Sequence, residues 1–90
     1  MRILLAEDDP PLGDGLCVGL RQAGHVVDWV RDGEAADLAL KTEDFDLLVL
    51  DLGLPRLPGM EVLRRLRRRG QTLPVLILTA RDATDDKVQG

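Results

Sequence analysis

Acidic side chains stand directly behind two apolar runs of this 90-residue sequence. Glu7-Asp8-Asp9 follow Ile3-Leu4-Leu5-Ala6, and Asp51 follows Leu47-Leu48-Val49-Leu50. A hydroxyl, Thr79, follows a third run, Val75-Leu76-Ile77-Leu78. Carboxylates held close together repel, and some resist ionising unless a cation sits among them. Mg²⁺ suits such a set, being a hard ion satisfied by one or two carboxylates plus waters and phosphate oxygens. A carboxylate beside such an ion can attack phosphorus and form an aspartyl phosphate. Phosphoryl transfer needs mainly positioning and charge neutralisation, and Thr79 could hydrogen-bond the phosphoryl group. Taken alone, Glu7-Asp8-Asp9 reads equally well as a solvated turn with a helix cap, because acids favour helix starts. Asp51 alone reads as a turn acid. The coincidence of acids behind two buried runs, with a hydroxyl behind another, favours the functional reading.

These positions require a scaffold. Short continuous apolar runs read as strands buried on both faces, the pattern of parallel sheets. Val26-Val27-Asp28-Trp29-Val30 differs, because Asp28 interrupts it, and suits an edge strand with a partly wetted face. Helical stretches lie between. The first is expected over residues 10–23, with Asp9 as N-cap and Pro10 where its missing N–H costs nothing. Leu12, Leu16 and Leu20 share one face, and Gly24 closes the helix. Gly13, Gly15 and Gly19 each weaken it by up to ~1 kcal/mol relative to alanine, so packing must support it. A second helix is expected over about 34–43 and a third from Gly59 to Gly70. A fourth is expected after Arg81, capped by Asp82 or Thr84. The order β-α-β-α-β-α-β-α implies an α/β fold, a doubly wound parallel sheet with helices on both faces. In such a sheet ligands bind beyond the carboxyl ends of the strands, where strand order switches. If the first, third and fourth strands are neighbours, the acids and Thr79 converge there.

Composition narrows the alternatives. Ninety residues make one small unit, and 44% hydrophobic with 31% charged residues is a folding composition. Twelve basic against 16 acidic residues give a net charge of −4, unlike a nucleic-acid-binding domain. Cys17 is a single cysteine and makes no intrachain disulfide; mid-helix beside apolar residues, it reads as core packing. No apolar run reaches a membrane span and no signal peptide is visible, so a cytoplasmic location is expected. The five arginines of Arg64-Arg65-Leu66-Arg67-Arg68-Arg69 read as the exposed end of the third helix, where positive charge complements the dipole. His25 reads as a turn residue without a matching ligand, and Trp29 and Phe45 as packing residues.

The motifs together resemble the receiver domain of two-component response regulators, of the winged-helix (OmpR/PhoB-like) subfamily. The resemblance covers nearly the whole chain. It rests on Arg2-Ile3-Leu4-Leu5-Ala6-Glu7-Asp8-Asp9, on Val49-Leu50-Asp51-Leu52-Gly53-Leu54-Pro55 with Gly59, and on Leu76-Ile77-Leu78-Thr79-Ala80-Arg81. The chain resembles the quorum-sensing-type and polymyxin-resistance-type regulators of Gram-negative bacteria. The resemblance implies a flavodoxin-like (CheY-like) receiver fold with strand order 2-1-3-4. It implies that Asp51 accepts a phosphoryl group from a partner sensor histidine kinase with Mg²⁺ as cofactor. Asp8 would ligate the metal directly and Glu7 through water; Asp51 and the backbone carbonyl of Gly53 would complete the protein ligands. Thr79 would be the switch hydroxyl, and Pro55 and Gly59 shape the loop after the third strand.

Against that family the chain lacks a fifth strand and fifth helix and the lysine that ends the fifth strand. Neither Lys41 nor Lys87 follows an apolar strand. The chain therefore reads as roughly the first three-quarters of a receiver domain spanning residues 1–90. DNA would be contacted only through a winged-helix domain not in this chain, and no membrane contact is expected. An exposed fourth-strand edge invites a homodimer, with a domain swap as one form of it, so a non-signalling interaction or domain-swapped module is the alternative. A Mg²⁺-dependent phosphohydrolase is disfavoured, because such enzymes commonly carry a second acid where this chain has Gly53. A flavin or nucleotide binder is disfavoured by the lack of a glycine-rich loop after the first strand.

Overall fold

In the computed structural model, which describes residues 1–78, four apolar segments form strands and the stretches between them form helices. Thr79 and the helix expected after Arg81, with its Asp82 or Thr84 cap, lie outside the described residues. Strand β1 (Arg2–Ala6) leads through α1 (Pro10–Gln22) to β2 (Val26–Val30), and α2 (Gly33–Thr42) leads to β3 (Leu47–Asp51). Helix α3 (Gly59–Arg68) then leads to β4 (Val75–Leu78). Every pairing is parallel and the order is β2-β1-β3-β4, as expected.

Side chains alternate between the two faces of a strand, so each strand feeds two cores. Leu4, Ala6, Leu48 and Leu50 pack under Ala36 and Leu40 of α2 and Val62 and Leu66 of α3. Ile3, Leu5 and Val49 pack with Cys17 of α1 on the opposite face. The doubly wound layering follows from that division. Strand β2 is an edge strand, and Asp28 lies opposite Leu4 and only half-buried, as its polar interruption implied.

Helix boundaries follow local chemistry. Asp9 accepts the Leu12 amide at 3.3 Å and Asp32 the Ala35 amide at 2.8 Å, so both are N-caps. Gly24 (φ 96°) takes the left-handed conformation that ends α1, and its N–H donates to the Arg21 carbonyl. Helix α3 stops at Arg68, short of the expected Gly70, with Arg69 as its C-cap.

Two expectations are corrected. Leu12 does not share the buried stripe of α1: it is 41% exposed, and Gly13 and Cys17 are the buried positions. The helix is rolled so that Gly13 lies against the Trp29 ring, where no side chain fits. Strand β4 is not buried on both faces, since Leu76 is 56% and Ile77 36% exposed. Hydrophobic sequence selects the strand, but burial needs a covering layer. Among the described residues β4 is paired only with β3.

Candidate functional site

Strands β1 and β3 are parallel neighbours with Ala6 opposite Leu50, so the residues after them leave the sheet at the same end. Glu7 and Asp51 are buried and Asp8 is half-buried. One carboxylate oxygen from each of Glu7, Asp8 and Asp51 lies within 4.8 Å of the others. The structure thus brings together three of the expected site residues. Asp9 caps α1 instead, and its N–H donates to Glu7 Oε2 at 3.0 Å.

The backbone around these acids is held from several directions. The Glu7 N–H donates to the Val30 carbonyl at 3.1 Å, and the Trp29 indole Nε1–H donates to the Glu7 carbonyl at 2.8 Å. The Gly53 N–H donates to Asp51 Oδ1 at 3.2 Å, which fixes the rotation of that carboxylate. Gly59 donates its N–H to the Leu52 carbonyl at 3.1 Å. A Cβ at Gly59 would stand 2.5 Å from the Asp51 carbonyl oxygen, so α3 can begin this close to β3 only on a glycine. Gly33 makes the matching contact from α2, donating to the Pro55 carbonyl at 3.0 Å. In the same loop Arg56 adopts a left-handed backbone (φ 70°) and points its guanidinium at Asp32 (3.8 Å) and Glu34 (3.7 Å).

Three carboxylates converging at the end of a sheet, two of them buried, are a hard, oxygen-only donor set. Their mutual repulsion is relieved by a small divalent cation, and Mg²⁺ matches their chemistry.

Three features escaped the sequence reading. Trp29 does more than pack, because its N–H reaches the Glu7 carbonyl; the available signal was a polar ring atom that needs a partner when half-buried. Gly13 has a steric purpose rather than only a cost to the helix. The arginine run is not merely a solvated helix end. Arg65 and Arg69 reach across to the buried Asp37 of α2 at 3.4 and 3.0 Å.

Comparison with known proteins places this arrangement among relatives. The chain is 61% identical over 90 residues to the response regulator protein PmrA of Pseudomonas aeruginosa, covering all of this chain and 41% of that protein. It is 52% identical over 90 residues to the transcriptional regulatory protein QseB of Haemophilus influenzae, again covering all of this chain and 41% of the relative. It therefore spans well under half the length of these relatives. Among solved structures, the receiver domain of the sensor histidine kinase PA1611 from Pseudomonas aeruginosa superposes with a TM-score of 0.81 at 32% identity. That match covers 88% of this chain and 66% of the other, whose structure holds a magnesium ion coordinated in the active-site cleft. Residues 3–90 match the family described as the response regulator receiver domain. With the parallel β2-β1-β3-β4 sheet and the acids at its carboxyl end, the match establishes that the chain belongs to the response regulator receiver domain family.

Proposed function

We propose that this chain accepts a phosphoryl group on Asp51 from a sensor histidine kinase, in a reaction that requires Mg²⁺. The observation that carries this reading is the convergence of Glu7, Asp8 and Asp51 within 4.8 Å at adjacent strand ends. Asp8 and Asp51 would hold the ion directly, Glu7 through water, and the Gly53 carbonyl would complete the protein ligands. When bound, the ion would neutralise charge on the phosphoryl oxygens. An Asp51 carboxylate oxygen attacks phosphorus, the O–P bond forms, and the phosphorus–nitrogen bond to the donor histidine breaks. The Gly53 N–H on Oδ1 holds the carboxylate in one orientation during the attack. Thr79 is the proposed switch hydroxyl, following β4 in sequence.

The chain is read as a signalling module rather than an enzyme acting on outside substrates, because Gly53 stands where a phosphohydrolase would place an acid. In the parent protein the switch would act on DNA through a separate winged-helix domain, consistent with the transcriptional role named for the QseB relative. A cytoplasmic location goes with that role. No helix among the described residues is long and apolar enough to cross a membrane.

Incubation with acetyl phosphate and Mg²⁺ tests the reading. The intact chain should gain one phosphoryl group by mass spectrometry, lost on hydroxylamine treatment. Asp51→Asn should abolish the gain, as should EDTA. Labelling that persists in Asp51→Asn overturns the assignment.

A second reading, association with another copy through β4, is favoured by the exposure of Leu76 and Ile77.

A further inference from the structure

Strand β2 holds both backbone polar groups of Glu7. The Glu7 N–H donates to the Val30 carbonyl at 3.1 Å, and the Glu7 carbonyl accepts from Trp29 Nε1–H at 2.8 Å. A peptide unit is planar, so fixing the Glu7 carbonyl also fixes the N–Cα direction of Asp8. The indole can reach that carbonyl only because α1 carries no side chain at Gly13. A Cβ there would stand 2.2 Å from Trp29 Cζ2 and 2.9 Å from Nε1. Gly13 is itself tied back, its N–H donating to the Asp9 carbonyl at 2.8 Å. The Arg31 guanidinium lies 5.5 Å from the Trp29 ring centroid and adds a cation–π contact. Indole, helix and acidic turn thus form a closed circuit around the backbone of Glu7 and Asp8.

We infer that Trp29 is a positioning residue for the divalent-cation site, acting through the Glu7 carbonyl, with Gly13 as the gap that admits its ring. The inference rests on the reading of Glu7, Asp8 and Asp51 as that site. Trp29 does not touch the ion. It sets the orientation of the peptide from which Asp8 projects, so the carboxylates are arranged before the cation arrives.

Calorimetric titration of the full chain with MgCl₂ tests this. Trp29→Phe removes the donor and should weaken binding about fivefold to tenfold, the effect of one lost hydrogen bond to a buried carbonyl. Circular dichroism establishes that the variant is folded. Replacing Trp29 with β-(3-benzothienyl)alanine keeps the bicyclic shape and exchanges N–H for sulfur, so the same loss must appear without a packing change. Gly13→Ala should weaken binding in the parent by displacing the indole and add nothing in the Trp29→Phe background, a non-additivity that marks a shared route. Trp29 is the single tryptophan, so its emission should shift on Mg²⁺ addition with the calorimetric midpoint. Binding by the benzothienyl variant within about twofold of the parent, well inside the coupling expected for contacting groups, overturns the inference. A parent that takes up no Mg²⁺ overturns the site reading as well; a parent that binds, beside variants that bind equally, removes only the role of Trp29.

Discussion

Gly33 opens α2 with its backbone pressed against the loop after β3. A side-chain carbon there would stand 1.7 Å from the Leu57 carbonyl oxygen and 2.6 Å from its carbon, both parts of the main chain. Neither atom can rotate away, so Gly33→Ala should destabilise the chain by about 3 kcal/mol, at the upper end of overpacking costs. Urea denaturation monitored by circular dichroism measures it. Gly15, with open space around its Cβ position, is the control. Gly15→Ala should be neutral or mildly stabilising, because alanine is the better helix former. Gly59 was readable beforehand, standing just beyond Pro55 at a helix start. Gly33 and Gly13 were not. Their constraints come from Leu57 and Trp29, distant in sequence, and only the folded chain brings them together. Arg56 shows the converse: a left-handed backbone on a residue whose type gives no hint of it.

At the scale of elements, Asp37 fastens α2 to α3. Its carboxylate is 6% exposed and receives Arg69 at 3.0 Å, Arg65 at 3.4 Å and Lys41 at 3.7 Å. Burial pushes the Asp37 carboxyl up, but the hydrogen bond and charge of Arg69, the hydrogen bond of Arg65 and the charge of Lys41 outweigh it and hold it below its ordinary value. A carboxyl lowered by folding stabilises the native state above its unfolded value, and that contribution is lost as pH falls through the folded one. Urea midpoints of the parent and Asp37→Asn should therefore differ most near pH 7. The gap should close on acidification below about pH 4, the ordinary aspartate range. A gap that stays constant down to the acid limit counts against the clasp. The positive end of α3 was legible from its arginines and the helix dipole. The pairing was not, because it depends on α2 and α3 lying side by side on one face of the sheet. The strand-end acids were legible for the opposite reason: parallel strands in a known order place their carboxyl ends together whatever the intervening loops do.

For the molecule as a whole, four apolar runs alternating with helices implied a parallel sheet, and the resemblance to receiver domains implied its order, β2-β1-β3-β4. Exposure was harder to read. Val75-Leu76-Ile77-Leu78 has the same hydrophobic signature as β1 and β3, yet its middle residues meet solvent, because a run of hydrophobes does not say what lies above it. If that surface pairs with a second copy, sedimentation velocity should show concentration-dependent association of the parent. Leu76→Lys should then remain monomeric over the same range. A parent monomeric throughout removes the second reading. The loop from Leu52 to Pro58 adds a kinetic dimension. It is tied at two points by amides outside it, Gly33 to the Pro55 carbonyl and Gly59 to the Leu52 carbonyl. Both protons are shielded from solvent exchange only while the loop stays down. Their exchange rates therefore act as paired clocks for the segment behind Asp51. Equal rates mean that it lifts as one body, and unequal rates mean that it peels from one end.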